Sequence, residues 1–275
     1  MVFGEQVWCL PRHLAHDPNL SLEPGVLFPD PLFAYPFSLS FQLSSPSGGN
    51  FPGEYPSGGP VPGVLDIWQR FAPTLDFIAP DIYTGDYAQI CRTYLHNNQA
   101  PFIPEQRRDE HGARRMWEAI GTFAALGATP FGVDTLDAET FAYTARYRLL
   151  RTLSPHIIKA RENALRTFGF YFEEVDSNSE FDRTADIVKT IGDYELYIQR
   201  AFVLGRPGPG YGLIIELESG RYLFAGKGYR VEFKSTSPDA AFTSILRSEE
   251  KSAAGAADGT LRTERVLNGD ETRSG

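Results

Sequence analysis

Cysteine is scarce in this sequence, with only Cys9 and Cys91 among 275 residues. Two cysteines so far apart give no disulfide framework and no zinc-ligand spacing. Cys91 falls on the apolar face of a predicted helix, so a buried free thiol is expected there. Histidine is scarce too, and His13 and His16 have no cysteine or acidic partner at metal-site spacing. The sequence therefore predicts no metal centre and no cofactor.

Long apolar runs and an excess of positive charge are also lacking. No stretch reaches the length of a transmembrane helix, which argues against a membrane partner. The N-terminus shows no basic segment followed by an apolar one, so no signal peptide is evident. A net charge of −9 argues against nucleic acid or an anionic membrane as the main partner. These observations leave the cellular location and the oligomeric state unknown.

Three short apolar runs that end in polar residues lie between Leu75 and Asp134, and two segments with helical spacing separate them. Strands that alternate with amphipathic helices predict a βαβαβ arrangement with parallel strands. In barrels of this kind the chemistry lies where strands end and the following loops begin. Tyr83, Glu105 and Asp134 occupy that position. The sequence therefore predicts that any functional site lies there.

The remaining parts of the chain differ in composition and in the spacing of their apolar residues. Residues 1–50 are rich in proline and form an irregular N-terminal segment, in which the alternation from Phe33 to Phe41 allows one strand. A loop rich in glycine and proline follows. A later helix is predicted after Asp137, a plausible N-cap, and Pro155 is expected to end or kink it.

From Phe168 onward, short aromatic and β-branched segments alternate with turns, which is typical of antiparallel β structure. We predict a boundary near residue 166, between a domain of residues 51–166 and a β-sandwich-like domain of residues 167–275. The chain stops soon after the Asn268-Gly269 turn signal, in mid-domain on this interpretation.

Several motifs of the chain occur in an order found in one group of enzymes. They comprise residues 52–61 (PGEYPSGGPV), 79–83 (APDIY), 102–109 (FIPEQRRD) and 125–134 (ALGATPFGVD). Together they resemble β-galactosidase-like glycoside hydrolases of families 35 and 42, which fold as (β/α)8 barrels. Similar members also carry a C-terminal β domain of unknown function, whose pattern resembles residues 210–215, 224–228 and 267–272. The resemblance covers residues 52–275.

The resemblance implies retaining hydrolysis of β-galactosides, with a carbohydrate as the partner. The three predicted strands would then be barrel strands six, seven and eight. Glu105, at the end of strand seven, would be the nucleophile. Tyr83 would hydrogen-bond that carboxylate and orient it, while Arg107 and Arg108 would at most tune its charge.

The acid/base glutamate of this group lies at the end of strand four, usually just after an asparagine. No Asn-Glu pair occurs in this chain, and residues 1–50 show no alternation that would supply strands one to five. The expected fold is therefore a partial (β/α)8 barrel followed by a small antiparallel β domain. The chain resembles the C-terminal half of a hydrolase, and whether it is an enzyme stays uncertain. Alone, we expect it to have no appreciable glycosidase activity.

Each candidate residue also has a structural explanation. Glu105 fits a solvated turn carboxylate, and Tyr83 fits an aromatic strand residue in the core. Glu54 and Tyr55 either line a sugar site or are exposed loop residues. Asp134 either contacts substrate or caps the next helix.

Three interpretations of function stay open at this point. The first is a β-galactoside hydrolase represented by a partial chain. The second is a non-catalytic carbohydrate-binding or structural remnant. The third is an intact protein of different function.

Overall fold

The computed structural model describes residues 38–40, 61–73, 75, 77–174, 185–203, 206–254 and 259–269. The chain forms two compact units. The first unit contains the residues up to Gln106 together with Ala125–Phe131, and the second contains Arg107–Ala124 and the residues from Gly132 onward. The predicted boundary near residue 166 therefore falls inside the second unit. Within the described ranges the strands form several small sheets and no closed barrel, and no helix is long and apolar enough to cross a membrane.

Parallel strand pairs characterise the first unit. Its elements are β1 (Ser38–Ser40), α1 (Leu65–Phe71), β2 (Ala79–Asp81), α2 (Tyr87–Tyr94), β3 (Phe102–Ile103) and β4 (Gly127–Ala128). β1 pairs in parallel with β2, β3 pairs in parallel with β4, and a parallel bridge between Ile82 and Gln106 links β2 to β3. The three strands predicted between residues 75 and 134 are thus confirmed as parallel neighbours.

Helix α2 has the apolar face that its sequence predicts. The side chain of Asp86 accepts a hydrogen bond from the Gln89 amide at 2.9 Å and so caps the first turn. Tyr87, Ile90, Cys91 and Tyr94 are buried, and Cys91 is a buried thiol outside any disulfide, as expected. Burial of this face holds α2 in place.

Helix α1 buries little of its apolar surface. Leu65 is inaccessible, Trp68 is half-buried and Phe71 is 75% exposed. A helix of seven residues makes only about two turns, so it presents a narrow buried stripe.

Antiparallel sheets dominate the second unit. Its helices are α3 (Glu110–Gly121) and α4 (Ala142–Glu162), and its strands are β5 (Thr167–Tyr171), β6 (Ile187–Ile191), β7 (Tyr194–Arg200), β8 (Phe202–Val203), β9 (Arg206–Pro207), β10 (Tyr211–Glu218), β11 (Arg221–Lys227), β12 (Tyr229–Ser235), β13 (Ser248–Ala253) and β14 (Leu261–Leu267). One sheet has the order β11-β10-β5 and another the order β12-β7-β6. Antiparallel pairing in this part of the chain is confirmed.

The core of the second unit draws on both of these sheets. Its buried members are Phe168, Phe170, Phe172, Ile191, Leu196, Ile198 and Ile214. Phe168 and Phe170 in β5 and Phe172 just after it occupy alternate positions and therefore share one face. The opposite face of β5 packs against α3, where a Cβ on Gly169 would lie 1.7 Å from the Trp117 carbonyl oxygen. Only glycine allows the helix and strand backbones to approach so closely.

Helix α4 does not end at Pro155, which corrects that part of the prediction. The helix runs unbroken from Ala142 to Glu162 with Pro155 inside it. An interior proline removes one backbone donor and costs about 3 kcal/mol or more. Leu153 precedes it on a buried face that Ile157 and Ala160 continue beyond it, so packing on both sides offsets that cost. Asp137 does not cap α4 itself; its carboxylate accepts from the Glu139 and Thr140 amides in the preceding turn.

The hairpin of β13 and β14 is absent from the sequence-based expectations. Its strands pair antiparallel, with Ser248 opposite Leu267 and Ala253 opposite Leu261. Their sequences, SEEKSA and LRTERVL, contain few apolar residues and lack alternation. The ion pair of Arg265 with Glu250 (2.6 Å) and the hydrogen bond from Lys251 to Thr263 (2.7 Å) cross between the strands, where apolar contacts are few.

Candidate functional site

A hydrogen-bonded pair lies at the ends of two neighbouring strands of the first unit. Tyr83 follows β2 and Glu105 follows β3, and the Tyr83 hydroxyl donates to Glu105 Oε2 at 2.8 Å. Both side chains are half-buried. Parallel strands lie about 4.8 Å apart, which lets a tyrosine hydroxyl reach a carboxylate on the next strand. The predicted proximity of these two side chains is confirmed.

The backbone around Glu105 is fixed on both sides. The Ile82 amide donates to the Glu105 carbonyl oxygen at 2.8 Å, and the Phe131 amide donates to the Gln106 carbonyl oxygen at 3.2 Å. The Gln106 side chain is completely buried, and its Oε1 accepts the Tyr87 hydroxyl at 2.8 Å. Glu105 is therefore held between a strand pairing and a buried side-chain hydrogen bond.

Thr129, just after β4, adds a contact from the third strand of this set. Its amide donates to the Ile103 carbonyl oxygen at 2.9 Å, and its hydroxyl donates to the Pro104 carbonyl oxygen. The residues immediately before Glu105 are thus tied to Thr129, while Glu105 itself bonds to Ile82 after β2. Sequence patterns gave no signal for this role of Thr129, because a threonine at a strand end is common.

The entry to β2 depends on the side chain of Gln99. Gln99 Oε1 accepts the Ile78 amide at 2.9 Å, and Gln99 Nε2 donates to the carbonyl oxygens of Ile78 (3.0 Å) and Tyr94 (2.6 Å). One amide group therefore serves both backbone groups of Ile78, just before β2, and the carbonyl at the C-terminal end of α2. The sequence gives no signal for this role of Gln99, which lies between α2 and β3.

Asp81, the last residue of β2, is a buried carboxylate at 4% exposure. Burial, and then the negative charge of Asp81, raise the pKa of the Tyr94 hydroxyl. Tyr94 is therefore neutral over the physiological pH range. A buried carboxylate beside a neutral phenol marks a polar region at the end of β2.

The remaining predicted site residues do not join this pair within the first unit. Glu54 and Tyr55 lie outside the described residues. Asp134 belongs to the second unit, where it is exposed in a single 3-10 turn, Val133–Thr135. Its predicted contact with substrate therefore stays a prediction, and the structure attaches no capping hydrogen bond to that turn.

The arginines after Glu105 have partners of their own. Arg107 Nε donates to Asp109 Oδ2 at 2.9 Å, and Arg108 is exposed. Partial burial raises the pKa of the Asp109 carboxyl. Hydrogen bonds from the Gly112 amide and the Arg107 guanidinium stabilise the charged form by more, so the pKa of Asp109 is lowered. Asp109 also caps α3, which the sequence analysis did not assign to it. Within the described ranges no cluster of three or more metal-ligating side chains occurs.

The site thus defines an α/β unit with a tyrosine-oriented carboxylate at its strand ends, followed by an antiparallel β unit. Residues 143–275 match a family profile described as a domain of unknown function, DUF5597. The matched region starts in α4 and continues through the β-strands of the second unit. No curated protein matches the chain.

Proposed function

We propose that the chain carries the nucleophile of a retaining glycoside hydrolase that acts on β-galactosides, with Glu105 as the nucleophile and Tyr83 as the residue that orients it. The observation that carries this proposal is the 2.8 Å hydrogen bond from the Tyr83 hydroxyl to Glu105 Oε2. The resemblance to families 35 and 42 supplies the substrate class. It also supplies the finer fold, a partial barrel in which β2, β3 and β4 are strands six to eight.

Strand order supports the barrel interpretation. β1, β2, β3 and β4 are parallel neighbours in sequence order, and a helix follows each of the first three along the chain. β1 adds a neighbour on the side of β2 away from β3, which is the place of strand five. Parallel strands in such folds present their carboxyl ends to the reacting molecule. Tyr83 and Glu105 occupy those ends.

The carboxylate has the arrangement that a nucleophile needs. Oε2 accepts the Tyr83 hydroxyl, whereas Oε1 has no hydrogen-bond partner among the described residues. Oε1 can therefore attack the anomeric carbon, forming an ester bond while the bond from that carbon to the leaving oxygen breaks. The leaving oxygen takes the bonding electron pair and needs a proton unless it is already a stable anion. In retaining enzymes the second carboxyl group lies about 5 Å from the nucleophile.

A leaving group that needs no proton tests Glu105 separately from any acid. With 2,4-dinitrophenyl β-galactoside we expect a burst of about one dinitrophenolate per chain, followed by slow release as the glycosyl ester hydrolyses. Glu105→Gln should abolish the burst. Asp66→Asn, which changes an exposed carboxylate of the same unit, should leave the burst unchanged.

The result that overturns the proposal is equal release by the wild-type chain and Glu105→Gln. If sugar binds saturably but no burst occurs in either chain, the second interpretation, a non-catalytic carbohydrate-binding domain, takes its place.

A further inference from the structure

The hairpin of β13 and β14 leaves both of its faces uncovered. Neither strand contains a buried residue, and in the part of the chain that the structure describes the two strands form a sheet of their own. The Gly259 carbonyl oxygen, in the loop between them, accepts a hydrogen bond from His156 Nε2 of α4 at 2.8 Å, which fixes one end of the hairpin. A two-stranded hairpin is at best marginally stable by itself and needs a third strand or a packed face. The described residues do not supply that neighbour.

The two outer edges of this sheet differ. The register shift between Glu250 and Lys251 makes Glu264 of β14 an extra residue in the pairing. Such a bulge distorts an edge and discourages pairing with another strand. β13 has no extra residue, and the described residues place no strand along its outer side. The outer edge of β13 is thus the one suited to take a further strand.

The segment that leads into β13 exposes apolar side chains. Phe242 is 81% exposed, Ile245 is 48% exposed and Leu246 is completely exposed. The segment is held near its start, where the Ser235 amide donates to Thr243 Oγ1 at 2.9 Å. A cluster of exposed apolar side chains marks an interaction site. Because β13 follows this segment directly, one interface can cover both.

The charges on this surface cancel, although the chain as a whole carries −9. Within residues 237–254 and 259–269 the positive residues are Arg247, Lys251, Arg262 and Arg265, and the negative ones are Asp239, Glu249, Glu250 and Glu264. A balanced surface meets its own copy without net repulsion, whereas acidic surfaces of two copies repel each other. The surface also has no excess of positive charge for nucleic acid or an anionic membrane. Charge therefore favours a second copy of this chain as the partner.

We propose that two copies of the chain dimerise through the outer edge of β13. A two-fold axis relates the copies, so β13 pairs antiparallel with itself and the two hairpins form one sheet of four strands. With Glu250 at the axis, Glu249 of each copy lies opposite Lys251 of the other on one face of the sheet. On the other face the two Glu250 carboxylates meet, and Arg265 neutralises each of them at 2.6 Å. Leu246 then lies near the far end of the other copy's β13.

Sedimentation velocity of the whole chain over a range of concentrations tests this proposal. We expect a reversible equilibrium of monomer and dimer without larger species, because an interface of this symmetry closes on itself. Leu246→Asp should weaken dimerisation about tenfold or more, since it places a charge within the apolar contact. Leu246 is fully exposed, so the substitution spares the monomer. Phe202→Asp, at a ring on β8 that is 54% exposed, is the matched control and should dimerise like the wild-type chain.

Mixing two charge variants tests the register of the strands. Glu249→Lys and Lys251→Glu should each weaken dimerisation, because each places like charges opposite one another. An equimolar mixture of the two variants should associate more strongly than either alone, since each copy then faces the opposite charge. A change confined to one hairpin is not repaired by mixing, so this rescue reports contact between copies.

Four results would overturn the proposal. They are a monomer at every concentration, growth beyond the dimer, equal loss of dimer in Leu246→Asp and Phe202→Asp, and no rescue in the mixture of charge variants. A monomer whose β13 amides are nevertheless protected from exchange would identify another part of the chain as the neighbour of the hairpin.

Discussion

The two units of this protein are stabilised by different means. Strands β2, β3 and β4 of the first unit have only two or three residues, whereas β10 of the second has eight. Short strands leave many backbone groups without strand partners, and in the first unit the side chains of Gln99, Gln106 and Thr129 take hydrogen bonds near them. The second unit instead packs phenylalanines and isoleucines between two sheets.

This difference bears on function. In the first unit, polar side chains near the strand ends form hydrogen bonds that can also position a reactive carboxylate. Glu105 lies among these side chains. An aromatic core gives stability; its described member Phe233 is partly buried, and the neighbouring Phe224 is 36% exposed. Substitutions in the second unit should therefore act mainly on folding, and those near Glu105 mainly on chemistry.

The largest effect is expected from Phe170→Ala. Phe170 is 2% exposed, and its ring centroid lies 5.9 Å from Phe168 and from Phe172, and 5.0 Å from Tyr229. Removing a buried phenylalanine ring costs about 3–5 kcal/mol in the free energy of unfolding. Urea denaturation followed by circular dichroism measures this loss. Phe202→Ala, at a ring that is 54% exposed, should change stability by less than about 0.5 kcal/mol.

Gly169→Ala should destabilise the second unit by about 3 kcal/mol, at the upper end of the usual range for overpacking. The new methyl group would meet the Trp117 backbone, which cannot rotate away as a side chain would. Gly208→Ala is the control, since its nearest atom would be 3.8 Å away. Equal urea midpoints for the two variants would show that α3 and β5 do not pack as described.

Gln99→Leu tests the polar support of the first unit. The substitution leaves the Ile78 amide and the carbonyl oxygens of Ile78 and Tyr94 without that partner, at a cost of about 1–3 kcal/mol. Hydrogen exchange of the amides of β2 and α2 reports it locally. Gln89→Leu, on the exposed side of α2, should be close to neutral. If Gln99→Leu is neutral as well, polar side chains do not support this unit.

Tyr83→Phe separates chemistry from folding. It removes one hydroxyl donor to a charged group, and such a bond is worth about 1.5–3 kcal/mol. We therefore expect the dinitrophenolate burst to slow about tenfold or more, because each 1.4 kcal/mol changes a rate tenfold. Tyr87→Phe, which breaks the bond to Gln106, should slow the burst less, since Tyr87 does not touch the carboxylate. The opposite order would assign the orienting role to Gln106.

The smallest effect concerns pH and the β13–β14 hairpin. Hydrogen bonds from Lys251, Arg247 and Thr263 lower the pKa of Glu249 to about 2. A carboxyl whose folded pKa is depressed contributes stability above its unfolded pKa, near 4.3, and loses that contribution as the pH falls toward the folded value. The protection of the hairpin amides, measured relative to their intrinsic exchange rate at each pH, should therefore fall between about pH 4 and pH 2, while β5 and β10 stay protected. Glu249→Gln should remove this pH dependence.

Much of the first unit was predictable because its signals are local. Apolar runs with helical segments between them predicted β2, β3 and β4, and parallel pairing then predicted that Tyr83 would meet Glu105. The support from Gln99 and Thr129 was not predictable, since a polar side chain near a strand end carries no signal of which backbone group it bonds.

In the second unit the prediction failed where packing overrides local propensity. Pro155 stays inside α4 because buried residues on both sides of it outweigh the lost hydrogen bond. The β13–β14 hairpin lacks the apolar alternation by which strands are recognised, and polar contacts such as Arg265 with Glu250 join its strands. The sequence does not single out Asp109 as the cap of α3, because Asp109 lies in a run of charged residues that also contains the carboxylate of Glu110.

Covalent trapping is the most direct test of Glu105 as the nucleophile. Incubation with 2-deoxy-2-fluoro-β-galactosyl fluoride should form a bond from a Glu105 oxygen to the anomeric carbon as fluoride leaves. The fluorine at C2 slows hydrolysis of the ester, so it accumulates. Mass spectrometry should show one added fluorogalactosyl group, located by peptide mapping at Glu105 and absent from Glu105→Gln. An adduct on another carboxylate, or no adduct under conditions where the sugar binds, would contradict the account.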